Sequence, residues 1–562
     1  LSPPKSSFVP KLDSQLAVTM SDGVELKADV SYPTDPATGE RAPGPFPVLL
    51  TQSPYKSTDP KAGDYFVQHG YIYVTAYVRG TTTSGGSFGF FSDRDAQDGA
   101  ELVDWAAHRL PGSNGTVGLH GGSYAGINQM FTTVAAGPGS PIKAMLAACM
   151  GAEFYRETYF AGGIPTQTLN FQRVIGDAMG GDTAAAGAAN VADIEAGGDK
   201  AYFRDFWKQR TAGELAQKIV DTGVPTMLWS SDGDIYAQSS LDLYAYFQNA
   251  YAKAPVYGPM SAATPTTGRY QIIMSQGGHC QNEDPNIQLE WFDTWLKGAP
   301  TGMDKTSTPI HVHEMISNRW INTSHYPVTP TYTTYYLGAS NELGTEAPLT
   351  EQQKTLAWAA PDGNSTATFD GPVLAEGATL AGPISATIYA SSSAADLELL
   401  ATVQSVASDG QVTTVSSGTV LGSMSELDPA RSWSDTAGVP VRPYGKYDKS
   451  TPLTPGSVNR FDFAISPRFV TVPPGSTIRV VFSTQSSADC SPPLGTDPCF
   501  PTNPQRAELT GSTVTIHSGA TTPSSIHLPL LEAGCWRPAG DSAVPSWGNE
   551  PAPPAQSAPC QQ

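Results

Sequence analysis

Ser123 stands in the run Val117-Gly118-Leu119-His120-Gly121-Gly122-Ser123-Tyr124-Ala125-Gly126, between small residues, after a strand-like segment and ahead of a helix-like one. A hydroxyl held on so sharp a turn projects above a sheet, and the flanking glycines relieve the steric conflict such a turn creates. The form is G-x-S-x-x-G, and glycine-rich turns of this kind also bind phosphate or simply make loops. If the serine is a nucleophile, it needs a base and an orienting carboxylate, and where such a serine sits on a strand-to-helix elbow these follow it in the order acid, then histidine. His279, in Ser275-Gln276-Gly277-Gly278-His279, ends a glycine-rich loop after an apolar strand, where an imidazole can reach over the sheet. Of the nine histidines, His311 and His313 alternate on a strand-like run, His517 and His527 fall in the C-terminal part, and His120 precedes the turn and is expected to pack. Asp232 and Asp234 both follow the apolar run that ends at Trp229. Ser231-Asp232-Gly233 is ordinary turn chemistry, so Asp232 also has a purely structural use.

The elements that must position these groups can be read from the apolar pattern. Pro47–Thr51 and Tyr71–Val78 read as buried strands, Leu102, Val103, Trp105 and Ala106 mark a helix face within Asp98–His108, and Val117–His120 is a short strand entering the glycine turn. Near Gly151 the composition changes. Aromatic residues (Phe154, Tyr155, Tyr159, Phe160) give way to an Ala/Gly-rich stretch, Ala178–Gly198, without strand alternation, which reads as a helical insertion. The α/β pattern resumes at Pro225–Trp229 and Tyr270–Met274, and Leu289–Lys297 is a plausible closing helix. Beyond about residue 330, alternating strands separated by Gly, Pro, Asp and Ser predict a β-sandwich of the jelly-roll kind. The clearest are Ala386–Ala390, Leu397–Val406 turning at Ser408-Asp409-Gly410, and Thr477–Phe482. The expected organisation is an α/β core over 1–151 and 223–329, split by a helical cap at 152–222, with a jelly roll and Pro-rich tail over 330–562.

Four segments together resemble one family, the cocaine esterase/X-prolyl dipeptidyl-peptidase-like acyl hydrolases. They are Ser53-Pro54-Tyr55-Lys56; Val78-Arg79-Gly80 followed by Ser84-Gly85-Gly86; Ser113–Gly118 leading to Gly122-Ser123-Tyr124-Ala125-Gly126; and Trp291-Phe292-Asp293-Thr294-Trp295-Leu296-Lys297-Gly298. The likeness runs from about residue 15 to about 540 and is weakest in the cap. It implies an α/β-hydrolase core, an inserted cap, a C-terminal jelly roll, and a serine hydrolase that cuts esters or amides through an acyl-enzyme. Asp234-Ile235-Tyr236 through Leu241 resembles the family's acid segment, which favours Asp234 over Asp232 beside Ser123 and His279. The resemblance also assigns the oxyanion hole to the Tyr55 hydroxyl and the Tyr124 backbone N–H; no cofactor or metal is implied. Tyr236, Tyr155 and Phe154 suggest an apolar acyl pocket, which favours an esterase, although core packing explains these aromatics equally well. An X-prolyl aminopeptidase or a β-lactam or amino-acid ester acylase on the same triad is the alternative. An aminopeptidase would need a carboxylate for the substrate ammonium, and Glu153, Glu157, Asp177, Asp182, Asp193, Glu195 and Asp205 lie in or near the cap.

Bulk properties narrow the partners. With 52 acidic and 32 basic residues the net charge is −20, which opposes nucleic acid and anionic membranes and suits a small-molecule or short-peptide substrate. No apolar run approaches the 18 residues or so of a spanning helix. The six cysteines suggest three bridges, Cys490 with Cys499, Cys535 with Cys560 and Cys149 with Cys280, although sequence does not fix pairing. With low Lys content and a chain beginning at Leu1, they lead us to expect a secreted protein whose signal peptide has been removed. Two readings compete. His311-Val312-His313-Glu314 superficially resembles a ligand cluster but lacks H-E-x-x-H spacing. The C-terminal sandwich could instead be a surface- or carbohydrate-binding module, though it shows no aromatic platform.

Overall fold

Residues 6–165, 176–281, 283–316, 319–329, 331–358, 366–484 and 507–532 are described by the computed structural model. The first strands are β1 (Val9–Thr19), β2 (Glu25–Thr34), β3 (Phe46–Ser53), β4 (Ile72–Tyr77), β5 (Ser113–Gly122) and β6 (Ile142–Ala148). A short hairpin, β7 (Phe160–Ala161) and β8 (Ile164–Pro165), lies in the insertion. Then follow β9 (Thr226–Ser231), β10 (Tyr270–Ser275), β11 (Ile310–Glu314) and β12 (Arg319–Thr323). All but the hairpin form one ten-stranded sheet in the order β1-β2-β4-β3-β5-β6-β9-β10-β11-β12. The stretch from β4 to β11 is parallel, and the outer strands β1, β2 and β12 are antiparallel.

The burial pattern explains why the central strands could be read from sequence and the edges could not. β4, β9 and β10 are buried at every position, because helices cover both faces, so they appear as unbroken apolar runs. At the edge β1 is largely exposed and carries little apolar signal. The order jumps between β4 and β5, with β3 between them, so a crevice opens at the carboxyl ends of β3 and β5, where open α/β sheets bind ligands.

The flanking helices begin earlier than their apolar faces suggest. One spans Asp93–His108, with a capping box in which Ser92 accepts from the Asp95 N–H and the Asp95 carboxylate accepts from the Ser92 N–H at 2.8 Å. Another spans Pro285–Leu296, started by Asp284 as N-cap and by proline in its first turn. In the insertion, helix Thr183–Glu195 occupies the Ala/Gly-rich stretch, accompanied by a π-helical turn, Tyr155–Tyr159.

The C-terminal part is β-rich, as expected. An eight-stranded and a four-stranded sheet share one core that includes Leu380, Ile388, Val403, Phe463 and Val480. The Ser408-Asp409-Gly410 turn joins the antiparallel strands Glu398–Val406 and Val412–Leu421. This sandwich is tied to the hydrolase part by buried and half-buried ion pairs. Arg442 pairs with Asp242 on helix Ala237–Tyr251, and Arg431 pairs with Glu214 at 2.6 Å and with Glu153 at 3.4 Å. Cys490, Cys499, Cys535 and Cys560 lie outside the described residues, whereas Cys149 and Cys280 are joined.

Candidate active site

Strand β5 runs into helix Tyr124–Ala136 through Ser123, whose backbone sits at φ 56°, ψ −125°, a region nearly closed to residues with a Cβ. The Ser123 N–H donates to Ala148 O on the neighbouring β6 at 2.9 Å, which fixes the turn to the sheet. The surrounding glycines are required by close approach. A Cβ at Gly121 would lie 2.7 Å from Thr51 Oγ1, and one at Gly126 would lie 2.7 Å from Ala148 O.

Three side chains distant in sequence meet at this turn. His279 Nε2 is 2.9 Å from Ser123 Oγ, and His279 Nδ1 is 3.1 and 3.2 Å from the two carboxylate oxygens of Asp234. The Asp234 side chain is completely buried and also accepts the Tyr236 N–H at 3.0 Å. Asp232 does something else: its carboxylate accepts the Gly277 N–H at 3.2 Å and braces the histidine loop, and burial raises its pKa. Tyr55, on the loop after β3, donates its hydroxyl to Ser123 Oγ at 3.3 Å, and the Tyr124 backbone N–H reaches the same phenolic oxygen. Burial pushes the Tyr55 phenol upward, so it stays protonated at neutral pH and remains a donor.

A cavity of about 400 Å³ opens from Ser123, His279 and Tyr55. Its walls are apolar, with Phe154, Tyr236, Met179 and the neighbouring Phe88, Phe90 and Phe91. The Tyr236 ring stands edge-on to His279, and its hydroxyl meets Thr158 Oγ1 at 2.9 Å. Phe154 and Thr158, four residues apart, share the cavity face. Tyr155 does not line the cavity, contrary to expectation. Its ring stacks on Phe160 with centroids 4.3 Å apart and its hydroxyl donates to Ala201 O, so it belongs to the packing behind the wall. Phe88, Phe90 and Phe91 were missed by sequence reasoning. Their signal is the aromatic cluster directly after Ser84-Gly85-Gly86.

The cap carboxylates turn elsewhere. Glu153 pairs with Arg156 at 2.9 Å and with Arg431. Glu157 accepts both the N–H and hydroxyl of Ser239, and burial pushes its carboxyl well above the usual range. Asp182 and Asp193 accept the backbone N–H groups of Phe88 and Lys200. Among the described residues, no carboxylate lines the cavity at Ser123. Two of the other histidines are held by structural partners. His120 bonds Tyr73 and Gln288, and burial lowers its pKa to about 4. His311, weighed above as a ligand, holds Asn322 and Gln271 with its two ring nitrogens.

Residues 22–281 match the X-Pro dipeptidyl-peptidase (S15) family, and residues 301–527 match the X-Pro dipeptidyl-peptidase C-terminal non-catalytic domain. A Mycobacterium tuberculosis protein named as a serine esterase is 24% identical over 84% of this chain and 90% of its own length. The cocaine esterase of a Rhodococcus species is 25% identical over 72% of this chain and 82% of its own. In fold, the chain is similar to a CocE/NonD family hydrolase from Staphylococcus aureus (TM-score 0.74, 19% identity, covering 93% of this chain and 94% of that one). The chain thus belongs to the cocaine esterase/X-prolyl dipeptidyl-peptidase-like acyl hydrolases and is a serine hydrolase acting on esters or amides.

Proposed function

We propose that this enzyme hydrolyses esters of a small apolar acyl group, with Ser123 as nucleophile, His279 as general base then acid, and Asp234 as the carboxylate that orients the imidazole. In the first half-reaction His279 accepts the Ser123 proton as Oγ attacks the carbonyl, then protonates the departing alcohol. The tetrahedral oxyanion is met by the Tyr55 hydroxyl and the Tyr124 N–H at the N-terminus of its helix, where the backbone dipole adds positive potential. Water, activated by the same imidazole, then releases the acid.

The preference for esters rests on one observation: among the described residues, the cavity at Ser123 is aromatic and aliphatic and contains no carboxylate. An exopeptidase that grips a free amino terminus needs such an anion, since a desolvated ammonium must be paired. The adjacent stretch 166–175, which lies outside the described residues, contains no Asp or Glu that could supply it. The test is a substrate panel with short acyl esters, an Xaa-Pro anilide and a β-lactam side-chain amide, using Ser123→Ala as the blank. Ester turnover is expected to be fastest; anilide cleavage exceeding it would replace the esterase reading by the X-prolyl peptidase one while leaving the triad intact.

Tyr55→Phe isolates the oxyanion role. The ring and its packing stay, one donor is lost, and kcat is expected to fall by about 10²–10³ with KM little changed. A KM effect alone would make Tyr55 a wall of the cavity instead. The joined cysteines beside the site also support the reading that the enzyme works in an oxidising, extracytoplasmic compartment. Native protein recovered mainly with free thiols from its own cells would count against that.

A further inference from the structure

We propose that the Cys149–Cys280 disulfide is a positioning element of the catalytic centre: it holds the His279 loop against the nucleophile turn, and a dithiol that opens it lowers turnover. The inference rests on the roles assigned above to Ser123, Asp234 and His279.

Cys280 directly follows His279, and Cys149 directly follows β6, whose last carbonyl, Ala148 O, accepts the Ser123 N–H at 2.9 Å. Both sulfurs and a ring nitrogen of His279 lie within 4.8 Å of one another. The bridge also touches the nucleophile turn itself. A Cβ at Gly122 would stand 2.9 Å from Cys149 Sγ and 3.1 Å from Cys280 Sγ, so glycine at this position leaves the room that the sulfurs fill. One covalent link, between residues 131 positions apart in sequence, therefore includes the residue after the base and touches the residue before the nucleophile.

The loop needs such a link. Gly277, at φ 119°, and Gly278 give its backbone a freedom that other residues would not. The backbone hydrogen bonds that tie its glycines to other segments, among the described residues, run toward the acid side: Gly277 O accepts from the Gly233 N–H at 3.0 Å, the Gly277 N–H donates to Asp232, and the Ser231 hydroxyl donates to Gly278 O at 2.6 Å. The disulfide supplies the attachment on the Ser123 side. Cys149 and Cys280 take φ values of 38° and 55°, unusual for residues with a Cβ and maintained only where surrounding structure imposes them.

The bridge is also reachable. Cys280 is exposed and lines the catalytic cavity, whereas Cys149 is buried. A small dithiol entering the cavity attacks Cys280 Sγ through its thiolate and expels the Cys149 thiolate. Its second thiol then displaces Cys280, leaving a cyclic disulfide on the reagent and two protein thiols that take their protons from water.

The experiment treats the native enzyme with dithiothreitol at a temperature where circular dichroism shows it folded, and counts thiols at 149 and 280 by differential alkylation of a quenched sample. Reduction is expected to lower kcat for a short acyl ester by about 10- to 100-fold, the scale of a misplacement near 1 Å, with KM little changed and full recovery on reoxidation. The Cys149→Ala/Cys280→Ala double variant is expected to start at the low rate and ignore dithiothreitol, which separates this bridge from any other. Reduced thiols at both positions with unchanged kcat would overturn the proposal, as would both cysteines alkylating without reductant or a rate loss that tracks unfolding. If fluorophosphonate labelling persists in Ser123→Ala, the triad reading fails instead; labelling at Ser123 with an insensitive kcat rejects the bridge alone.

Discussion

Replacing Ser123 by alanine is expected to lower kcat on a short acyl ester by about 10⁶ and to abolish covalent labelling by a fluorophosphonate. The residual rate is that of an oxyanion site and a cavity without a nucleophile, still about 10³–10⁴ above water. The same position carries a stability signature. Ser123 is held at φ 56°, ψ −125°, a conformation that costs a residue with a Cβ about 1–3 kcal/mol. Ser123→Ala keeps that cost and Ser123→Gly removes it. Glycine adds about 0.4–1 kcal/mol of unfolded-state entropy, which is smaller than the strain it relieves. The glycine variant should therefore be inactive yet more stable than the alanine variant by about 1 kcal/mol, read from urea unfolding. Equal midpoints would mean that the turn is relaxed and that the flanking glycines, rather than Ser123, absorb its geometry.

The nucleophile turn was legible because its chemistry is local. A serine on a sharp strand-to-helix turn needs small neighbours at fixed offsets, and the close approaches at Gly121, Gly122 and Gly126 are the physical form of that need. His279 was legible for a similar reason, as the end of a glycine loop after a buried strand. The acid was not decided by local chemistry. Asp232 and Asp234 lie two residues apart in one turn, and what separates them is where β9 ends relative to the imidazole, a three-dimensional matter on which family likeness alone had an opinion. Tyr155 failed for the opposite reason. Composition marks Phe154, Tyr155, Tyr159 and Phe160 as one aromatic group, but on a short π-helical turn adjacent side chains diverge, and Phe154 faces the cavity while Tyr155 stacks behind it. The cap acids show the same limit. Glu153 and Glu157 are near the site in sequence and in space, yet one serves the junction with the sandwich and the other caps Ser239. Helix starts were missed where the signal was a cap rather than an apolar face, as at Ser92 and Asp284.

Asp234→Asn is expected to lower kcat by about 10⁴, and the reason lies in which oxygen is already committed. Asp234 Oδ1 accepts the Tyr236 N–H at 3.0 Å, so an asparagine at 234 keeps its carbonyl there and turns its amide N–H₂ toward His279 Nδ1. Nδ1 must then accept, the ring proton moves to Nε2, and the nitrogen facing Ser123 donates when it should accept a proton. Geometry is preserved and the tautomer is wrong, so KM should change little. Asp232→Asn is the control that gives the prediction its discrimination. The Asp232 carboxylate accepts backbone N–H groups, from Gly277 at 3.2 Å and from Gly233, which an amide carbonyl can also take, and burial already disfavours charge at this position. Its kcat should stay within about tenfold of the parent, the range left when a hydrogen bond is kept and only a charge is lost. The two kcat values, measured on one acyl ester, decide the assignment: a collapse at 232 with little change at 234 would hand the orienting role to the other carboxylate.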